Sequence, residues 1–155
     1  MPLKDGVYII ASTLDTNPVL DIEGAANPFN SPISGVVGFT RDTNNTTNKH
    51  QQWIVTTLRK GVYGLKSTIS NVWITAPVDG SVSQLDTSVY DPVYNEATRW
   101  KITALTSDTY QIESVRFPNH VIDLEYASSA DNTHAILYPS QQSANQIWRF
   151  LPVVI

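Results

Sequence analysis

Three of the four tryptophans, Trp53, Trp100 and Trp148, stand 47 and 48 residues apart, and each opens a short strand-like run: Trp53-Ile54-Val55, Trp100-Lys101-Ile102 and Trp148-Arg149-Phe150. A second element recurs ahead of them. Gly6-Val7-Tyr8-Ile9-Ile10-Ala11-Ser12-Thr13 returns as Gly61-Val62-Tyr63-Gly64-Leu65-Lys66-Ser67-Thr68 and, more loosely, as Asp108-Thr109-Tyr110-Gln111-Ile112-Glu113-Ser114-Val115. A period of this size means either stacked separate units or one domain with internal threefold symmetry. Three propeller blades fall short of the usual minimum of about four. A closed threefold β-structure fits better, because closure removes exposed sheet edges. The three tryptophans are then expected to meet in one core.

The local pattern is that of strands. Val7-Tyr8-Ile9-Ile10, Val62-Tyr63-Gly64-Leu65, Val72-Trp73-Ile74-Thr75 and His120-Val121-Ile122-Asp123-Leu124 are short, rich in β-branched and aromatic residues, and bounded by turn formers. No apolar pattern of helical period runs for three turns, and nine prolines are spread along the chain. The expected class is all-β. Ten Lys and Arg against fourteen Asp and Glu leave no basic cluster to neutralise phosphates, so no nucleic-acid partner is expected. The absence of cysteine excludes disulfides, thiolate metal sites and cysteine nucleophiles. Apolar runs such as Val36-Val37-Gly38-Phe39 are far below the roughly 20 residues of a membrane helix, and no membrane insertion is expected. Asp5 and Gly6 stand where a signal peptide is apolar. The expected location is cytoplasmic, with any release by a non-classical route. The sequons at Asn44 and Asn45 read as a polar loop.

The residues around two of the tryptophans carry a family resemblance. Gln51-Gln52-Trp53 and Asn145-Gln146-Ile147-Trp148 resemble the Q-x-W signature of ricin-B-type β-trefoil lectins. The chain looks like the small cysteine-free fungal members of that group and like the related fungal trefoil protease inhibitors. The resemblance implies one β-trefoil domain over 1–155, with pseudo-threefold repeats at about 5–57, 58–105 and 106–153. It further implies a lectin without catalytic activity or cofactor, binding terminal galactose or N-acetylgalactosamine on glycoproteins or glycolipids. A homodimer is one way such a lectin gains valency.

A sugar pocket needs few parts: a carboxylate to accept from two adjacent hydroxyls, an amide that donates and accepts, and an aromatic ring for the apolar pyranose face. The third repeat holds all of them in Val121-Ile122-Asp123-Leu124, Tyr138 and Asn145-Gln146. By the resemblance, Asp123 is the hydroxyl acceptor, Tyr138 the stacking platform and Asn145 the amide partner. Gln146 and Trp148 close the subdomain. The first repeat offers Asp21 in Val19-Leu20-Asp21-Ile22-Glu23-Gly24, then Gly38 and Phe39, then His50-Gln51 with His in place of Asn. Asp21, Gly24, Gly38, Phe39, His50 and Gln51 are therefore its candidate site residues. The bland alternative for the third repeat, in which Asp123 only caps a turn and Tyr138 is ordinary half-buried surface, is disfavoured by their joint spacing.

The second repeat lacks the site. Val72-Trp73-Ile74 aligns Ile74 with the two aspartates, and Ala97-Thr98-Arg99-Trp100 has no Gln two places before Trp. Because this repeat folds without the acid, replacing Asp21 or Asp123 is expected to leave stability nearly unchanged. His50, His120 and His134 have no zinc-ligand spacing, and no G-x-S-x-G elbow or phosphate loop occurs. The rival reading is a protease inhibitor that presents the segment Glu23 to Gly35, stiffened by Pro28 and Pro32. Arg41, Lys49, Arg59 and Lys60 are its basic candidates for a trypsin-like pocket.

Overall fold

A computed structural model describes residues 2–23 and 34–154. Twelve strands follow one another: β1 (Gly6–Ser12), β2 (Val19–Ile22), β3 (Val36–Phe39), β4 (Trp53–Arg59), β5 (Val62–Ser67), β6 (Trp73–Thr75), β7 (Asp86–Ser88), β8 (Trp100–Ala104), β9 (Tyr110–Ser114), β10 (His120–Leu124), β11 (Thr133–Pro139) and β12 (Trp148–Pro152). Short 3-10 turns precede β4, β8 and β12, and one follows β10; among the described residues there is no α-helix.

Six strands close a ring. β1 pairs with β4 and β12, β5 with β4 and β8, and β9 with β8 and β12, all antiparallel. Within each repeat the opening tyrosine pairs with the closing tryptophan: Tyr8 with Trp53, Tyr63 with Trp100, Tyr110 with Trp148. The other strands form three hairpins, β2–β3, β6–β7 and β10–β11. These tie to one another through Thr133 opposite Gly38, Val36 N donating to Leu85 O at 3.0 Å, and Leu85 N donating to Ala135 O at 2.8 Å. A six-stranded barrel with three such hairpins is a β-trefoil, and its closure leaves the barrel strands no free edge.

The core is threefold as well. Trp53, Trp100 and Trp148 are fully buried, and their indole Nε1 groups donate to Leu20 O, Ile74 O and Ile122 O at 3.0, 3.0 and 3.1 Å. Leu20, Ile74 and Ile122 are therefore equivalent, each fully buried. This corrects the alignment of the second repeat. Thr75, not Ile74, occupies the place of Asp21 and Asp123. The strand pairings agree, since Trp73 sits opposite Lys66 where Val19 sits opposite Ala11 and Val121 opposite Glu113.

Removing one indole empties a large volume and leaves a strand carbonyl unpartnered. Trp100→Ala is expected to cost about 3–5 kcal/mol in urea unfolding. A loss below about 1 kcal/mol would show that the threefold core does not depend on it.

Candidate functional site

In the third repeat, strand alternation turns Ile122 into the core while β10 and β11 bring the candidate residues together. Val121 lies opposite Tyr138 and Asp123 opposite Ile136. Asp123 is 3% exposed. Its Oδ1 accepts from Asn145 Nδ2 at 3.0 Å and its Oδ2 from Gln146 Nε2 at 2.8 Å. A carboxylate has about four acceptor positions, so these two bonds orient the group and leave capacity for a ligand diol. Burial pushes the Asp123 carboxyl above the ordinary range, the Gln146 and Asn145 hydrogen bonds pull it down, and the nearby Glu125 charge raises it. The carboxylate floors a cleft of about 410 Å³ that also takes in Tyr138, Asn145, Tyr126 and Val82.

Gln146 has no hydrogen-bonding capacity left for a ligand. Its Nε2 also donates to Pro139 O at 3.0 Å, and its Oε1 accepts from Gln141 N and Gln142 N at 2.7 and 3.1 Å. Both donors and both acceptor positions are engaged. It enters the site as a clamp that fixes Asp123 and not as a sugar contact.

The first repeat repeats this construction. Buried Gln51 donates through Nε2 to Asp21 Oδ2 and to Thr40 O, both at 3.0 Å, and its Oε1 accepts from Asp42 N at 2.9 Å. Gln51 is thus also a clamp. Phe39 stands opposite Val19, the register position of Tyr138, and is half-exposed. His50 takes the place of Asn145, with Nε2 3.6 Å from Asp21 Oδ2. Gly38 is turned away from the site. It pairs with Leu20, and a Cβ there would lie 2.9 Å from Leu124 Cδ2, so it is a packing glycine. Gly24 lies outside the described residues, as does most of the proposed inhibitory segment (24–33). Arg41 and Lys49 lie near the first site, and Arg59 and Lys60 at the turn between β4 and β5.

The second repeat replaces every element. Thr75, Ser88, Ala97 and Thr98 stand where the third repeat has Asp123, Tyr138, Asn145 and Gln146. The acid and its clamp are therefore lost together. That overturns the expectation that an acid can be removed at no cost, because in the first and third repeats the glutamine remains behind. Sequence reasoning also missed Tyr126 and Val82. Tyr126 could have been found as an aromatic three residues after Asp123; Val82 comes from another repeat and gave no local signal.

Leaving a buried amide donor unpaired costs about 1–3 kcal/mol. Asp123→Ala and Asp21→Ala should each lose that much by chemical denaturation, whereas Thr75→Ala should stay within about 0.5 kcal/mol. Among the described residues its half-buried hydroxyl donates only to the neighbouring Ala76 O.

The pH response originates at Asp21. Burial pushes its carboxyl from 3.8 up to about 6, against the Gln51 hydrogen bond and the His50 charge, with Asp131 adding to the rise. A carboxyl that titrates higher in the folded state favours folding when protonated. Its contribution is fully present below 3.8 and is lost as pH rises through about 6. The melting temperature of wild type relative to Asp21→Asn should therefore fall between about pH 4 and about pH 7.5. A constant difference would refute the assignment.

Known proteins share this architecture. A family model described as ricin-type beta-trefoil lectin domain-like matches residues 49–138. No curated protein matches the sequence significantly. Among solved structures, the designed three-fold symmetric protein ThreeFoil is 22% identical at a TM-score of 0.82, over 96% of this chain and 100% of its own. The C-half of the earthworm R-type lectin, solved in complex with GalNAc, is 25% identical at 0.69, over 94% and 98%. The Macrolepiota procera ricin B-like lectin, solved with lactose, is 18% identical at 0.75, over 99% and 100%.

Proposed function

The chain belongs to the ricin-type beta-trefoil lectin domain-like family, and we propose that it binds terminal galactose- or N-acetylgalactosamine-type glycans through its first and third repeats without catalysing a reaction. The observation that carries this reading is the recurrence of one constellation in two repeats: a buried, clamped carboxylate, a polar group just before the Q-x-W glutamine, and an aromatic ring at one register position. The acid accepts from adjacent ring hydroxyls, and the aromatic packs on the C–H face of the sugar. The preference for galactose-type sugars draws on the family and on the GalNAc and lactose complexes of the earthworm and Macrolepiota proteins.

The absence of catalysis rests on the role of the acids. Asp21 and Asp123 belong to different repeats and are held as acceptors by amide donors. Glycoside hydrolysis needs two carboxyls flanking one bond at about 5–10 Å; Glu125 also lines the third-repeat cleft, so there the non-catalytic reading draws on the lectin family. Each open site should bind a monosaccharide at about millimolar strength, near −4 kcal/mol. Two sites on one chain, or four in a homodimer, would raise avidity on a multivalent surface.

A glycan array with the purified protein tests the reading. Wild type should mark glycans ending in galactose or N-acetylgalactosamine, competed by the free monosaccharide. The Asp21→Asn/Asp123→Asn double variant, which retains an acceptor for each clamp glutamine, should mark none. Full binding by the double variant, or exclusive binding of mannose, would sink it.

A further inference from the structure

The third-repeat cleft is lined by further apolar side chains besides Tyr138. A terminal pyranose packs its C–H face on a single platform, here Tyr138, and meets Asp123 and Asn145 with hydroxyls. Tyr126 and Val82 line the same cleft and have no part in those contacts. Both are well exposed, Tyr126 at 92% and Val82 at 52%.

Their positions are built in. Tyr126 comes after β10 in the 3-10 turn Glu125–Ala127, and both Tyr126 and Ala127 hold left-handed backbone, with φ of 56° and 52°. Two successive non-glycine residues in that region are disfavoured and persist only where the surroundings hold them. The turn is closed by Ser128 N donating to Glu125 O at 3.1 Å. The result is an aromatic ring kept out of the core at the mouth of the cleft. Val82 arrives from the second repeat on a segment fastened to β11. Leu85 N donates to Ala135 O at 2.8 Å, Gln84 bridges Ile136, and Leu137 N donates to Ser83 O at 3.2 Å. Val82 directly precedes this fastened segment and lines the same cleft as Tyr138. The cleft volume of about 410 Å³ lies within the roughly 300–1,000 Å³ typical of drug-sized ligands, which are larger than one hexose.

Resting on the lectin reading, we propose that the third-repeat cleft recognises a disaccharide unit, with the terminal ring on Asp123, Asn145 and Tyr138 and the penultimate ring against Tyr126 and Val82. These two side chains select the penultimate sugar. The terminal sugar itself is chosen by the acid and amide.

The test uses the full chain carrying Asp21→Asn, so that the third cleft alone reports. Titration calorimetry compares galactose with lactose and N-acetylglucosamine with chitobiose. In the pair that binds, the disaccharide should be favoured about tenfold, the scale of a good ring contact. Adding Tyr126→Ala and Val82→Ser should bring the disaccharide down to the affinity of its monosaccharide, with monosaccharide binding unchanged. Equal loss for both sugars, or an undiminished disaccharide preference, overturns the proposal. If only the glucosamine pair binds, the galactose reading falls and the subsite is read on chitobiose. If no sugar binds to this variant, or if binding survives Asp123→Asn, the third-repeat site and its subsite fall, while glycan binding by wild type on the array decides the lectin reading separately.

Discussion

An indole is large and apolar yet carries an N–H that must find an acceptor once water is excluded, and this chain meets that demand in the same way three times. Each closing tryptophan donates to the carbonyl of a buried aliphatic residue on its own repeat's first hairpin strand: Leu20, Ile74 or Ile122. One interaction thereby buries a large ring, satisfies its polar atom and docks a hairpin onto the barrel. The opening tyrosines complete the arrangement by pairing with the tryptophans on adjacent barrel strands. Three copies enclose a single core, so no repeat can bury its apolar face alone.

The candidate binding sites are extensions of that joint. The residue after the accepting carbonyl is the aspartate, and the residue two before the tryptophan is the glutamine. Two bonds therefore join the same two segments: indole to carbonyl, and amide to carboxylate. The first is fully enclosed and serves stability. The second lies at the boundary, where the glutamine is used up by the protein and the carboxylate keeps spare acceptor capacity. The second repeat preserves the first bond and drops both partners of the other, with Thr75 and Thr98 in their places. The clamp is thus dispensable as a pair and costly to break in half.

Much of this was legible because it is local. The Trp spacing, the Gly-Val-Tyr starts and the short β-branched runs carried the trefoil, and Asp123, Tyr138 and Asn145 do converge on one cleft. The second repeat misled for a definite reason. Lys66 pairs with Trp73 seven residues on, whereas Ala11 and Glu113 pair with residues eight on, so its turn is shorter by one. An apolar triplet, Val72-Trp73-Ile74, then invited alignment by character, and a shift along a strand exchanges its two faces. Gly38 misled differently: glycine beside a site in sequence proved to be glycine beneath Leu124 in space. Val82 could not be found at all, because its place depends on contacts between repeats.

The two sites are alike in plan and unlike in electrostatics. Asp123 has one amide donor on each oxygen, so its geometry is set by groups that carry no titrating charge. At Asp21 the second amide is replaced by an imidazole, and His50 Nε2 stands 3.6 Å from Oδ2, the oxygen that Gln51 also holds. There burial prevails over the Gln51 hydrogen bond and the His50 charge and lifts the carboxyl to about 6. The first site therefore keeps its acceptor charged only above that pH. The residue just before the Q-x-W glutamine thus decides whether the carboxylate's second partner is an amide or an imidazole, while the fold around it stays the same.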